Sequence, residues 1–209
     1  MAYDFIFWDN DGVLVDTEEL YYQASRDALA TIGFDLTMAD FTRISLASGR
    51  SVFELATSDR QLMDELRHWR NRRYSELLVD RDLLLPKVRE TLSLLAAKRK
   101  MAIVTSSRRD HFEQIHAATE VLHLFEFILC REDYGEAKPD PEPYLLALKQ
   151  SGREAGDCLV LEDSARGLAA AKAAGLTCWV IPSPQTRTQD FTTADLIVDR
   201  IEQLPALLG

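Results

Sequence analysis

The chain has 209 residues, 46% of them hydrophobic, enough for one domain of moderate size or for a core carrying a smaller insert. With 34 acidic against 24 basic residues the net charge is -10, which argues against unassisted binding to nucleic acid or an anionic membrane, and no stretch is long and apolar enough to span a bilayer. Cys130, Cys158 and Cys178 are odd in number and lie in or beside apolar runs, so they read as buried free thiols in a cytoplasmic protein, not as a disulfide framework.

The first element is the apolar run 3–8, the pattern of a buried central strand, whose C-terminal end is where an open α/β sheet places its ligands. Asp4 stands inside this run and no basic leader precedes it, so the N-terminus does not read as a signal peptide. Asp9-Asn10-Asp11-Gly12 follows at once. Two carboxylates two residues apart, beside a glycine free to turn the chain, make an oxygen-rich cup suited to a hard divalent cation such as Mg²⁺. Taken alone, the stretch is equally a solvated Asp/Gly turn.

From 17 to about 32 the positions Leu20, Ala24, Ala28, Leu29 and Ile32 recur at helical spacing, with Thr17 placed to cap, Glu18 and Glu19 in the first turn, and Gly33 as the stop. Further helices are expected over about 38–46, 51–56 and 61–78. No strand-like alternation occurs between Thr17 and Asp82, so 17–82 reads as a helical cap domain inserted into a core made of 1–16 and 83–209. Strand and helix then alternate, with helices over 88–98, 109–118, 141–150 and 164–174 and strands over 101–104, 127–130 and 158–161. Short edge candidates follow at 177–181 and 196–198, and a terminal helix at 201–208. The order is that of an α/β fold, a Rossmann-like, mainly parallel sheet with helices on both faces.

In such a sheet the C-terminal ends of the strands share one edge, so the loops 9–12, 105–108, the segment around Lys138 and 162–164 converge. Thr105-Ser106-Ser107 brings hydroxyls and backbone N–H groups to a helix N-terminus, a receptor for phosphate oxygens or an ordinary cap and turn. Lys138 precedes Pro139-Asp140-Pro141, whose prolines stiffen the chain and hold the ammonium in place; alone it would read as a solvated lysine. Glu162 and Asp163 end an apolar strand and open a helix at Ser164, where they can ligate a cation shared with the Asp9 loop or simply complement the helix dipole. The combination fits phosphoryl transfer through an aspartyl phosphate. Asp9 attacks phosphorus, Asp11 protonates the departing alkoxide and later deprotonates water, and Mg²⁺, Lys138 and Thr105 offset the charge on the transferring oxygens.

These residues resemble the haloacid dehalogenase-like (HAD) hydrolase superfamily over essentially the whole chain. The matching stretches are Asp9-Asn10-Asp11-Gly12-Val13-Leu14-Val15-Asp16-Thr17, Val104-Thr105-Ser106-Ser107, Lys138-Pro139-Asp140-Pro141 and Leu161-Glu162-Asp163-Ser164. The branch it resembles carries a helical cap between the first and second motifs and includes phosphoglycolate and sugar-phosphate phosphatases and β-phosphoglucomutase. The resemblance implies Asp9 as nucleophile and metal ligand, and Asp11 as acid/base with its backbone carbonyl on Mg²⁺. It implies Thr105, with Ser106 beside it, and Lys138 as phosphate binders, Asp163 as a metal ligand, and Glu162 as a ligand of the ion or of its bound water. Dehalogenases of the superfamily lack the acid two places after the nucleophile, so Asp11 speaks for phosphate chemistry.

Mutase-like members carry a lysine before a glycine in the second cap segment, with an arginine shortly after, to grip a second phosphate. Here Leu46-Ala47-Ser48-Gly49-Arg50-Ser51 has serine in the place of that lysine, which favours a phosphatase, while Arg108 after Ser107 keeps the mutase alternative open. Arg50, Ser51 and Arg108 are the candidate substrate contacts. The expectation is a Mg²⁺-dependent phosphomonoesterase, cytoplasmic and monomeric, acting on a small phosphorylated metabolite with no nucleic-acid or membrane partner. The alternatives are a phosphosugar mutase and a phospho-ligand binding protein without turnover; binding alone does not call for the Asp9, Asp11 pair.

Overall fold

The structure, a computed structural model, describes residues 3–209. The run expected to be a central strand is one. β1 (Phe5–Trp8) pairs in parallel with β2 (Lys100–Val104) on one side and β4 (Cys158–Glu162) on the other, Trp8 lying opposite Ile103 and Leu161. With β3 (Phe127–Leu129), β5 (Thr177–Val180) and β6 (Leu196–Ile197) the parallel sheet has the order β3-β2-β1-β4-β5-β6.

Side chains alternate along each strand, and an interior strand covered on both sides must therefore be apolar throughout. Ile6, Trp8, Met101, Ile103, Leu159 and Leu161 face one side, where they pack with α4 (Val88–Ala96), α5 (Arg109–His116) and α8 (Leu204–Leu208). Phe5, Phe7, Ala102, Val104, Cys158 and Val160 face the other, against α6 (Glu142–Ser151) and α7 (Ala165–Ala173). Each large side chain so buried contributes roughly 1.5–3 kcal/mol. The three cysteines are free and buried.

Between β1 and β2 the chain forms a cap-like helical region. Its main elements are α1 (Glu18–Ala30), α2 (Met38–Phe41) and α3 (Arg60–Leu78), the last capped by Asp59, which accepts from the backbone N–H groups of Gln61 and Leu62. The region has an apolar cluster of its own, including Ala28, Leu29, Leu36, Phe41, Ile44, Val52, Phe53 and Leu66. No helix among the described residues is long and apolar enough to cross a membrane.

Four expectations are corrected. Thr17 does not cap α1; its hydroxyl donates to Asp11 Oδ1 at 2.5 Å, a partner that helical spacing cannot reveal. The segment 38–46 is not one α-helix, since α2 widens into π-helical turns over Thr42–Ala47, and 51–56 holds a 3₁₀ turn, Val52–Leu55. The segment 177–181 is not an edge, because β6 pairs along it and is the edge itself. The terminal segment begins as a 3₁₀ turn, Ile201–Gln203, and becomes α-helical only at Leu204, next to Pro205, which lacks the N–H that an interior helical position would use.

Candidate active site

Asp9 is the first residue beyond β1, its N–H still on the ladder through Leu161 O at 2.9 Å. The chain then folds back on itself. Asn10 O accepts from Leu14 N at 2.8 Å and Val15 N at 3.1 Å, and Gly12 takes φ +81°, open to glycine at little cost. A Cβ on Gly12 would lie 2.3 Å from Asp163 Oδ2, so the loop after β1 sits directly on the carboxylate after β4. Glu162 is packed as closely from behind, since a Cβ on Gly167 would lie 2.0 Å from its Oε1.

Lys138 ties these strand ends together. Its buried Nζ donates to Asp9 Oδ1 at 2.8 Å, Val104 O at 2.8 Å and Glu162 Oε1 at 2.7 Å, which uses all three ammonium protons. Tyr144 OH also donates to Glu162 Oε1 at 2.7 Å, and Ser164 Oγ donates to Oε2 at 3.2 Å. Burial alone would discharge Lys138, but Asp9 and Glu162 outweigh it and raise its pKa.

The acids respond to burial and to one another. Burial, then the charge of Glu162, lifts Asp9 to about 7 in spite of Lys138. Asp163 is pushed well above the carboxylate range by burial and then by Glu18, Asp9 and Glu162. Glu18, in the first turn of α1, rises to about 7 through burial and then Asp11. One lysine thus stands among more carboxylates than it can neutralise, the situation that a divalent cation relieves. Ligand atoms of Asp9, Glu162 and Asp163 lie within 4.8 Å of one another, and this all-oxygen set fits a hard cation.

Asp11 is held apart from this group by hydroxyls. Ser107 Oγ donates to its Oδ2 at 2.6 Å, Thr105 Oγ1 to the same oxygen at 3.2 Å, and Thr17 to Oδ1. Asn10 Nδ2 approaches Oδ2 at 3.3 Å, while Asn10 Oδ1 meets His116 Nε2 at 2.8 Å. In front lies a cavity of about 800 Å³ lined by Asp9, Asp11, Asp163, Ser106 and Ser107 from the core and by Tyr21, Arg50, Ser51 and Arg70 from the helical region.

The structure thus gathers Asp9, Asp11, Thr105, Lys138, Glu162 and Asp163 at one sheet edge. Ser106 reaches the cavity, but its hydroxyl is buried without a hydrogen-bond partner. Arg50 and Arg108 line the same cavity and are already paired, with Glu54 Oε2 at 2.5 Å and Asp110 Oδ2 at 2.9 Å. Sequence reasoning missed Ser107 as a partner of Asp11, Tyr144 as a partner of Glu162, Glu18 beside Asp163, and Arg166 in the cavity wall. Only Ser107 carried a signal, its place in the hydroxyl run after β2.

A parallel α/β sheet with a carboxylate after its central strand, a lysine bound to that carboxylate and two acids after the next strand defines a hydrolase of the phosphate-transferring kind. The sequence matches the haloacid dehalogenase-like hydrolase family over residues 6–181, and the chain belongs to that family. It is 33% identical over 205 residues to Protein CbbY of Rhodobacter capsulatus, covering 91% of this chain and 90% of that protein. It is 32% identical over 180 residues to a phosphorylated carbohydrates phosphatase of Thermotoga maritima, covering 82% and 81%. A crystal structure of CbbY from Rhodobacter sphaeroides in complex with xylulose-(1,5)bisphosphate superposes with a TM-score of 0.84 at 25% identity, covering 98% of this chain and 96% of that one. The chain is a phosphomonoesterase of this family acting on a small phosphorylated substrate.

Proposed function

We propose that the reaction runs through an aspartyl phosphate formed on Asp9, with Mg²⁺ as the cation and a phosphorylated sugar, polyol or short acid as the substrate. The observation that carries this reading is the bond from Lys138 to Asp9 and Glu162 at the same strand ends that gather Asp163. Lys138 holds Asp9 Oδ1, which orients the carboxylate and offsets charge as an anionic substrate approaches. An Asp9 oxygen attacks phosphorus, the ester P–O bond breaks, and Asp11 gives its proton to the departing alkoxide. Asp11 then takes a proton from water as that water attacks phosphorus, the Asp9–phosphorus bond breaks, and inorganic phosphate leaves. Asp9, Asp163 and Glu162, with the backbone carbonyl of Asp11, would hold the cation, whose charge stabilises the transferring oxygens.

Thr105, Ser106 and Lys138 receive the phosphoryl group in this reading, and the buried hydroxyl of Ser106, without a partner, supports it. Residues 17–82 act as a cap over a core of 1–16 and 83–209, which the separate apolar cluster of the helical region supports. Arg50, Ser51 and Arg108 form the rim that substrate passes. The carbohydrate phosphatase and the sugar-bisphosphate complex among the relatives favour a small phosphorylated carbohydrate. The protein works as a monomer in the cytoplasm, the latter supported by its free buried thiols.

The test is hydrolysis of an aryl phosphate with and without Mg²⁺, by the wild type and by Asp9→Asn. Wild-type turnover should depend on Mg²⁺, and Asp9→Asn should lose it while remaining folded. Hydrolysis surviving at the wild-type rate in that variant would remove Asp9 from the mechanism.

A further inference from the structure

Among the arginines that line the cavity, Arg166 stands apart. Arg50, Arg67 and Arg108 are paired with Glu54, Asp64 and Asp110, and Arg131 donates to the carbonyls of Tyr134 and Gly135. Arg70 lies 4.4 Å from the centre of the Tyr21 ring and donates to Asn71 Oδ1 at 2.9 Å. Arg166 forms no ion pair among the described residues, and its Nε is buried without a hydrogen-bond partner.

A buried donor left unmet is destabilising, the more so when the group is charged. Such a group belongs where a ligand supplies the acceptor. Its position suits that role. Arg166 is the second residue of α7, the helix capped by Ser164, which accepts from Gly167 N at 3.2 Å, and so it is carried on the same rigid start as Asp163. From the helical region Gly49, at φ +68°, approaches so that a Cβ there would lie 3.7 Å from Arg166 Cδ and 3.8 Å from its Nη1. The guanidinium is therefore fixed to the core and covered by the cap-like region, with Asp9 facing the same cavity.

We propose that Arg166 is a specificity-determining residue that binds an anionic group of the substrate other than the phosphoryl group being transferred, either a carboxylate or a second phosphate. A planar guanidinium can give such a group two parallel hydrogen bonds, which a hydroxyl tail cannot match in strength. Substrates with two anionic ends are thereby selected over phosphomonoesters with neutral tails. This inference rests on the phosphomonoesterase reading.

The experiment compares the wild type, Arg166→Gln and Arg166→Lys on an aryl phosphate, glycerol phosphate, 3-phosphoglycerate and fructose 1,6-bisphosphate. The wild type should have its lowest KM on one of the two doubly anionic compounds, and which one distinguishes a carboxylate from a second phosphate. Arg166→Gln should raise that KM by about 10–100-fold, the worth of a charge-assisted pair, while kcat on every compound and KM on the two with neutral tails stay within about threefold. Arg166→Lys should recover part of the loss. Equal losses on all four compounds, no loss on any, or a wild type that prefers neither doubly anionic compound would each overturn the assignment. Calorimetric titration of Asp9→Asn and of Asp9→Asn/Arg166→Gln with glycerol phosphate and the preferred compound reads the same discrimination without turnover. A wild type inert towards every phosphate ester would sink the hydrolase reading, whereas a titration showing no difference between the two compounds would sink the role of Arg166.

Discussion

Gly167 lies in the first turns of α7, where alanine would ordinarily be favoured by about 1 kcal/mol. Here the preference reverses, because the carboxylate of Glu162 fills the space that a methyl group would need, its atoms 2.0–2.1 Å from the Cβ position. Glu162 cannot retreat without leaving Lys138 and Tyr144, and Lys138 in turn holds Asp9. Gly167→Ala is expected to cost about 1–3 kcal/mol of stability, as overpacking does, and to lower kcat at least tenfold. Thermal melting and aryl phosphate turnover measure the two effects; a more stable, fully active variant would mean that Glu162 has freedom not evident in its bonds. A helical glycine between Arg166 and Leu168 gives no hint of this in the sequence. Gly12 does, because it follows two aspartates at a strand end, and it meets Asp163 in the same way.

At the scale of elements, the β strands and the helices flanking them were legible because burial on two faces leaves an unbroken apolar run, as in β1 and β4, and burial on one face leaves a helical period, as in α1. The convergence of Asp9, Thr105, Lys138 and Asp163 followed from parallel strand order alone. What was hidden is side-chain aim. His116 at the end of α5 is a lone polar residue after an apolar position, with nothing to mark it, yet it joins α5 to the Asp9 loop. Since Asn10 Oδ1 can only accept, His116 Nε2 donates to it at 2.8 Å, and Nδ1 lies 2.9 Å from Thr119 Oγ1, whose hydroxyl also donates to His116 O at 3.2 Å. Burial lowers its pKa from 6.5 to about 4, against the pull of Asp11. As pH falls from 6.5 the unfolded chain takes up a proton that the folded chain refuses, so stability is lost progressively until about pH 4, by about 3 kcal/mol in all. His116→Gln keeps a donor for Asn10 and does not titrate. Denaturant titrations at pH 7, 5.5 and 4.5 should show the wild type losing more stability than this variant on acidification; parallel pH profiles would mean that His116 already carries its proton when buried.

Over the whole molecule the excess of acid is not spread evenly. The chain carries a net charge of -10, and Asp9, Glu18, Glu162 and Asp163 crowd at one sheet edge around Lys138. The folded pKa values of Asp9 and Glu18 are raised to about 7 from 3.8 and 4.5, so the stability these groups allow is fully present at low pH and is lost as pH rises through about 7. A divalent cation bound by the ionised cluster would reverse that loss, and protons would compete with it when the cluster is acidified. Mg²⁺ should therefore raise the melting temperature most at pH 8 and little at pH 5. At a concentration 100 times its Kd the cation adds about 2.7 kcal/mol, which for a chain of this size is a shift of about 5–10 °C. Asp163→Asn should remove most of that shift, because it deletes a ligand and one of the repelling charges together, and it should also make the metal-free protein more stable at pH 8 than the metal-free wild type. Melting curves of both proteins with Mg²⁺ and with a chelator, at the two pH values, measure every part of this. A Mg²⁺ shift equal at pH 5 and pH 8, or one retained in full by Asp163→Asn, would mean that the cation binds elsewhere and that the repulsion among these acids is relieved by protons alone.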